Sequence, residues 1–144
     1  MKAQELLKET KVEVAPETYN LVSLSHDEWG QLLQNAALSP RMTAPFMILM
    51  DKYEVTLLLD EIDIANIREG IGEAKVEGGF RMLTFDTELD FDVVGFMAAV
   101  SGILADAGIS IIPISAFSRD HILIKQNDLA KALKSLGPHV RELC

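Results

Sequence analysis

Apolar positions along this chain switch between two periods. Tyr19 to Leu24 (YNLVSL) alternates in the manner of a half-buried strand, and the spacing that follows predicts a helix from Ser25 to Ala37. Ser25 and Glu28 form the S-x-x-E pattern of a capping box, and Leu24 with Trp29 stand where a hydrophobic staple lies. Ser39-Pro40 ends that helix. FMILM and YEVTLLL, parted by Asp51-Lys52, read as a hairpin, and a short helix from Asp60 to Glu69 is closed by Gly70. The glycine-rich stretch 72–79 reads as a connector. Phe80 to Thr87 then predicts a strand, and the apolar spacing after the acidic corner ELDFD predicts a helix beginning near Asp92. Gly108 ends it, ISIIPISAF and HILIK form a second hairpin, and Asn127 is expected to cap a last helix that stops at Gly137-Pro138. Ahead of all this, residues 1–18 read as a polar arm or a frayed helix.

The order βαββα therefore occurs twice. Asp60 falls on Asn127 as helix cap, Ile62 on Leu129 as first core residue and Gly70 on Gly137 as helix stop, all at one offset; the front strands pair Tyr19 with Phe80 and Leu24 with Phe85. The expected fold class is α+β, two ferredoxin-like βαββα repeats whose antiparallel sheets are packed by helices. We expect an N-terminal lobe at 1–71, the connector at 72–79 and a C-terminal domain at 80–144. Pro113 cannot donate to a ladder, which places the second strand at a sheet edge and invites pairing with another sheet, hence a homodimer or docked lobes.

Composition mainly excludes. With 22 acidic against 13 basic residues among 144, and no cluster of Lys or Arg, the chain is repelled by phosphate backbones and anionic lipid, so neither nucleic acid nor membrane is expected as a partner. A lone cysteine, Cys144, and a charged N-terminus without an apolar run fit a cytoplasmic protein. His26, His121 and His139 lack metal-ligand spacing, and there is no HExxH, phosphate loop or G-x-S-x-G. No enzyme, metal or cofactor is expected. His121 reads as structural or as facing a site. Asp86, Glu88, Asp90 and Asp92 alternate, but Phe91 and Met97 break the calcium-loop pattern, leaving a cation-attracting corner or a solvated edge with one helix-capping aspartate.

Residues 83–133 closely resemble the second repeat of tandem ACT-like domains, the branch that includes cytosolic arginine sensors and uncharacterised bacterial ACT-domain proteins. The resemblance rests on Gly95 in the first turns of the helix, on LADAGISI from Leu104 to Ile111, and on Ser115, Asp120, Ile122, Leu123 and Ile124 in the hairpin. PFMILMDKYEVTLLL is similar to the family's first hairpin. The resemblance implies a non-catalytic regulatory module that binds an amino acid or similar small metabolite and signals to an effector protein. It implies a ligand site at Asp90, Phe91, Asp92, Val93, Val94 and Gly95 on one side and Ser115, Ala116, Phe117 and Asp120 on the other. Ser115-Ala116 departs from the family's Ser-Thr and leaves the ligand's identity open. The alternative function is a structural or protein-interaction domain that has lost ligand binding.

Physical chemistry supports the same residues. The free N–H groups of a helix start suit a ligand carboxylate, Gly95 permits close approach, and Asp120 is an acceptor for an ammonium group.

Overall fold

The computed structural model describes residues 2–144. In chain order the elements are α1 (Ala3–Lys8), β1 (Lys11–Val14), β2 (Tyr19–Leu24), α2 (His26–Leu32), β3 (Met47–Met50), β4 (Val55–Asp60), α3 (Glu61–Ile67), β5 (Lys75–Asp86), α4 (Phe96–Asp106), β6 (Ile112–Ser115), β7 (Asp120–Lys125), α5 (Leu129–Leu136) and β8 (Glu142–Leu143). The fold is α+β with two ferredoxin-like βαββα repeats, β2-α2-β3-β4-α3 and β5-α4-β6-β7-α5. Two compact units contain them: Glu17–Gly79, and a second made of 1–16 together with Phe80–Cys144.

In the unit Glu17–Gly79, β4 lies between β2 and β3, antiparallel to both, with Leu24 opposite Val55 and Met50 also opposite Val55. Val22, Leu24, Val55, Leu57 and Leu59 turn one face of this sheet toward Leu32 of α2 and Ile64 and Ile67 of α3. The capping box forms as expected: Glu28 N donates to Ser25 Oγ at 3.1 Å, and Ser25 N donates to Glu28 Oε1 at 2.9 Å. Trp29 packs on the same core, in keeping with its staple position. The helix is shorter than its apolar pattern, however. Asn35 turns its side-chain oxygen to Ala37 N at 3.1 Å and starts a separate 3-10 turn, Ala36–Leu38. Asp60 caps α3 by accepting from Asp63 N at 2.8 Å. Ile62 is not a core residue; it is 61% exposed, because α3 points Ile64 and Ile67 inward instead.

The other unit has the strand order β6-β7-β5-β1-β8, so the proline-bearing β6 is an edge strand that among the described residues pairs only with β7. Leu83 and Phe85 of β5 and Ile122 and Ile124 of β7 face Phe96, Val100 and Leu104, which follow one another at i+4 along α4. Gly108, at φ +74°, closes α4 in a Schellman arrangement in which Ile109 N donates to Leu104 O and Gly108 N to Ala105 O, both at 2.9 Å. Two expectations are corrected here. Asn127 does not cap α5; the chain enters it through a 3-10 turn, Gln126–Asp128, without a side-chain cap. Phe85 stands opposite Asp120, the first residue of β7, as Leu24 stands opposite Val55, the first residue of β4, so Leu24 corresponds to Phe85 as expected. Second, the first residues are neither an arm nor part of the first lobe: Leu7 and Val12 are buried in this core, and β1 pairs antiparallel with β5 and parallel with β8. Likewise Lys75–Gly79, within the expected connector, form the opening of β5.

Candidate functional site

Two loops of the unit containing Phe80–Cys144 converge at one end of its sheet. The first, after β5, is the acidic corner; the second is the turn between β6 and β7. Leu89 N donates to Ser118 O at 2.8 Å and joins them, while Ala116 N donates to Arg119 O at 2.9 Å and closes the hairpin. Arg119 Nε donates to Asp86 Oδ1 at 2.8 Å, adding an ion pair across the same junction. That hydrogen bond holds the Asp86 carboxyl below its usual range and raises the Arg119 guanidinium. With Asp86 engaged, the alternating carboxylates do not converge, and among the described residues no three His, Cys, Asp or Glu side chains gather to hold a metal ion.

Between the loops lies an open cavity of about 600 Å³. Asp90, Phe91, Val93 and Gly95 line it from one side and Ser115, Ala116, Phe117 and Asp120 from the other. Asp92 does not line it, and Val94 faces a separate groove beside Lys2, Ala3 and Gln4. Sequence reasoning missed Leu89, Phe96, Met97, Ala98, Ser118 and Arg119, which also contribute to the wall. The signal for Arg119 was present: a lone cation in a turn facing an acidic corner.

The helix start is displaced from its expected position. Val93 N donates to Asp90 O at 3.0 Å, so Asp90–Val93 is a turn, and α4 begins at Phe96 after Gly95 in the left-handed region at φ +85°. Asp92 is exposed and caps nothing; Gly95 occupies the cap position without a side-chain bond. The functional consequence survives the shift, because Gly95, Phe96, Met97 and Ala98 all border the cavity and the first N–H groups of an eleven-residue helix lack intrahelical partners. Across the cavity, Asp120 is only 8% exposed and accepts from Ser115 Oγ at 2.8 Å, its position fixed by the β6–β7 pairing of Ser115 with Asp120. A carboxylate has roughly four acceptor directions, and one hydroxyl donor leaves most of them unused. At the rim, Phe91 and Phe117 stand edge to face, 5.0 Å between centroids, although 81% and 83% exposed. The arrangement is thus bipolar, with helix N–H groups on one wall, a carboxylate on the other and an aromatic pair at the mouth.

His121, one residue on, points to the other side of the sheet. Its Nδ1 lies 2.8 Å from Thr84 Oγ1, and burial lowers its pKa from the usual histidine value. It does not line the cavity.

The ACT domain family model matches residues 75–137. That span runs from β5 through α5, so the cavity lies wholly within the ACT-matching segment. No curated protein matches the chain. Among solved structures, a protein from Agobacterium tumefaciens superposes with a TM-score of 0.73 at 22% identity, covering 94% of this chain and 92% of that one. A Vibrio cholerae protein of unknown function, described as a possible transport protein, gives 0.67 at 22% identity over 93% of each chain. The regulatory subunit of aspartate kinase from Thermus thermophilus, in its ligand-free form, gives 0.62 at 9% identity over 92% of this chain and 98% of that one. These likenesses extend the ACT-like fold over both repeats. Among the described residues no helix is long and apolar enough to cross a membrane.

Proposed function

We propose that the protein is a non-catalytic regulatory module of the ACT type that binds a free amino acid in the cavity between the Asp90–Gly95 loop and the Ser115–Asp120 hairpin. The observation that carries this reading is the bipolar cavity. A zwitterion presents a carboxylate and an ammonium group a few ångströms apart, and the helix start and Asp120 offer the matching partners on opposite walls. A volume of about 600 Å³ sits within the usual 300–1,000 Å³ of small-molecule pockets. The likeness to a kinase regulatory subunit supports a role in control, not chemistry.

In this reading the protein acts in the cytoplasm as a homodimer. Ligand binding favours one arrangement of lobes or protomers by its differential affinity, and an effector protein responds to that arrangement. Each βαββα repeat serves as a lobe. The edge strand β3 carries Ile48, Leu49 and Met50 exposed and offers a surface for pairing between protomers.

The test is ligand-dependent thermal stabilisation, in wild type and in Asp120→Asn. Asparagine keeps the shape and the bond from Ser115 but removes the charge that holds an ammonium group. The stabilising amino acid should lose at least tenfold in affinity in the variant, about 1.4 kcal/mol. Equal affinity in both proteins would remove Asp120 from the site.

A further inference from the structure

A second cavity, of about 180 Å³, lies in the unit Glu17–Gly79, outside the ACT-matching segment up to residue 74 and away from the loops described above. Trp29 and Leu32 of α2, Leu57 and Leu59 of β4 and Ile67 of α3 form most of its walls; Asn35 and Ser39 are the polar residues that line it, and no side chain that lines it is charged. An unfilled apolar cavity destabilises the fold around it, so the question is what keeps it from collapsing.

The answer lies in the segment Asn35–Arg41, which supplies one wall through Leu38 and Pro40. This segment is fastened by polar contacts from side chains that do not line the cavity, apart from Asn35's own turn. Asn66 Nδ2 donates to Ala37 O at 2.9 Å. Arg41 N and Nε both donate to Asp63 Oδ1, at 3.2 and 3.0 Å, and Arg41 Nη2 donates to Asp60 Oδ2 at 2.6 Å. Both aspartates are buried, and charge-assisted bonds to a guanidinium are among the stronger polar contacts available. Polar pins from Asp60 at the end of β4 and from Asp63 and Asn66 of α3 thus hold the wall together with the packing of Leu38 on the core. The space is preformed.

We infer that this cavity is a binding site for a small uncharged apolar molecule of about the size of a benzene ring. Apolar cavities of roughly 150 Å³ stay dry and accept benzene or xenon. A carboxylate or ammonium group buried among these walls would find no ionic partner there. The site is thus independent of the amino-acid cavity, and neither reading requires the other.

Trp29 is the only tryptophan and lines the cavity, so its emission reports occupancy directly. The full chain is titrated with benzene and, separately, with phenylalanine, which carries the same ring on a zwitterion. Benzene produces a saturable change in Trp29 emission and raises the unfolding midpoint by a few degrees. Phenylalanine leaves Trp29 emission unchanged, whether or not it raises the midpoint through the other cavity. Leu38→Phe fills the space and abolishes the benzene response while unfolding stays cooperative; should that variant fail to fold, benzene-to-methyl NOEs at Leu57, Leu59 and Ile67 in the wild type serve in its place. A Trp29 signal that does not saturate, persistence of the response in a folded Leu38→Phe protein, a Trp29 response to phenylalanine, or absence of those NOEs overturns the proposal.

Discussion

Gly95 is the residue on which the candidate site turns. Its φ of +85° is open to glycine and strained for side chains of L-residues, while a Cβ built there meets nothing within 4 Å. Space is available; the backbone conformation is the constraint. Gly95→Ala should therefore destabilise the protein by about 1 kcal/mol through strain alone, measured by urea unfolding. An unchanged midpoint would show that the turn relaxes at no cost. His121 supplies a pH dependence. Burial makes its folded-state pKa lower than the unfolded value of about 6.5, so its contribution to stability is complete above that value and is lost as pH falls through the folded pKa. Stability should decline on acidification from pH 7, and His121→Gln should flatten the slope; urea midpoints at successive pH values provide the check. The side-chain types at the site were legible in the sequence, since Gly95, Ser115 and Asp120 occupy recognisable positions. Which of them share a cavity was not: Val94 and Asp92 lie beside Gly95 in the chain, yet a turn of the backbone directs them elsewhere.

At the scale of elements, local signals succeeded where the chemistry was local. The Ser25–Glu28 box involves only neighbouring residues, and both of its hydrogen bonds are present. Ser25→Ala should cost about 1 kcal/mol by leaving an N–H of the first turn without its acceptor, a loss that thermal unfolding would register. Retained stability would mean that water replaces the serine fully. Element ends were legible less well, because competition decides them. Asn35 diverts the chain into a 3-10 turn before the apolar period runs out, and the Asp90–Val93 turn delays α4 although Val93 and Val94 extend its apolar run backward. The same competition places Asp128 and not Asn127 at the start of α5.

For the whole molecule, the repeated βαββα order was readable because each repeat carries its own alternation, breakers and caps. The placement of residues 1–16 was not, because α1 and β1 are too short for periodicity to register, and what fixes them is burial against residues distant in sequence. Val12 stands opposite Phe85, and Cys144 N donates to Val12 O at 2.8 Å. Fully burying side chains such as Leu7 and Val12 stabilises by about 1.5–3 kcal/mol each, against a total of about 5–15 kcal/mol for an ordinary domain. Deleting residues 1–16 should thus lower the unfolding midpoint sharply and expose the hydrophobic surface of the ACT-matching unit to a reporter dye. A truncated chain as stable as the intact one would contradict the role assigned to this segment.

Thermal unfolding of the intact protein against each of the 20 amino acids at millimolar concentration tests the regulatory reading most directly. A ligand present at ~100 times its dissociation constant adds about 2.7 kcal/mol, and for a chain of this size ~1 kcal/mol moves the midpoint by roughly 2–4 °C. The account predicts a rise of several degrees with one amino acid or a few related ones, reduced in Asp120→Asn. No rise with any of the 20 would contradict it and favour a domain that keeps the ACT-like fold for protein interaction alone.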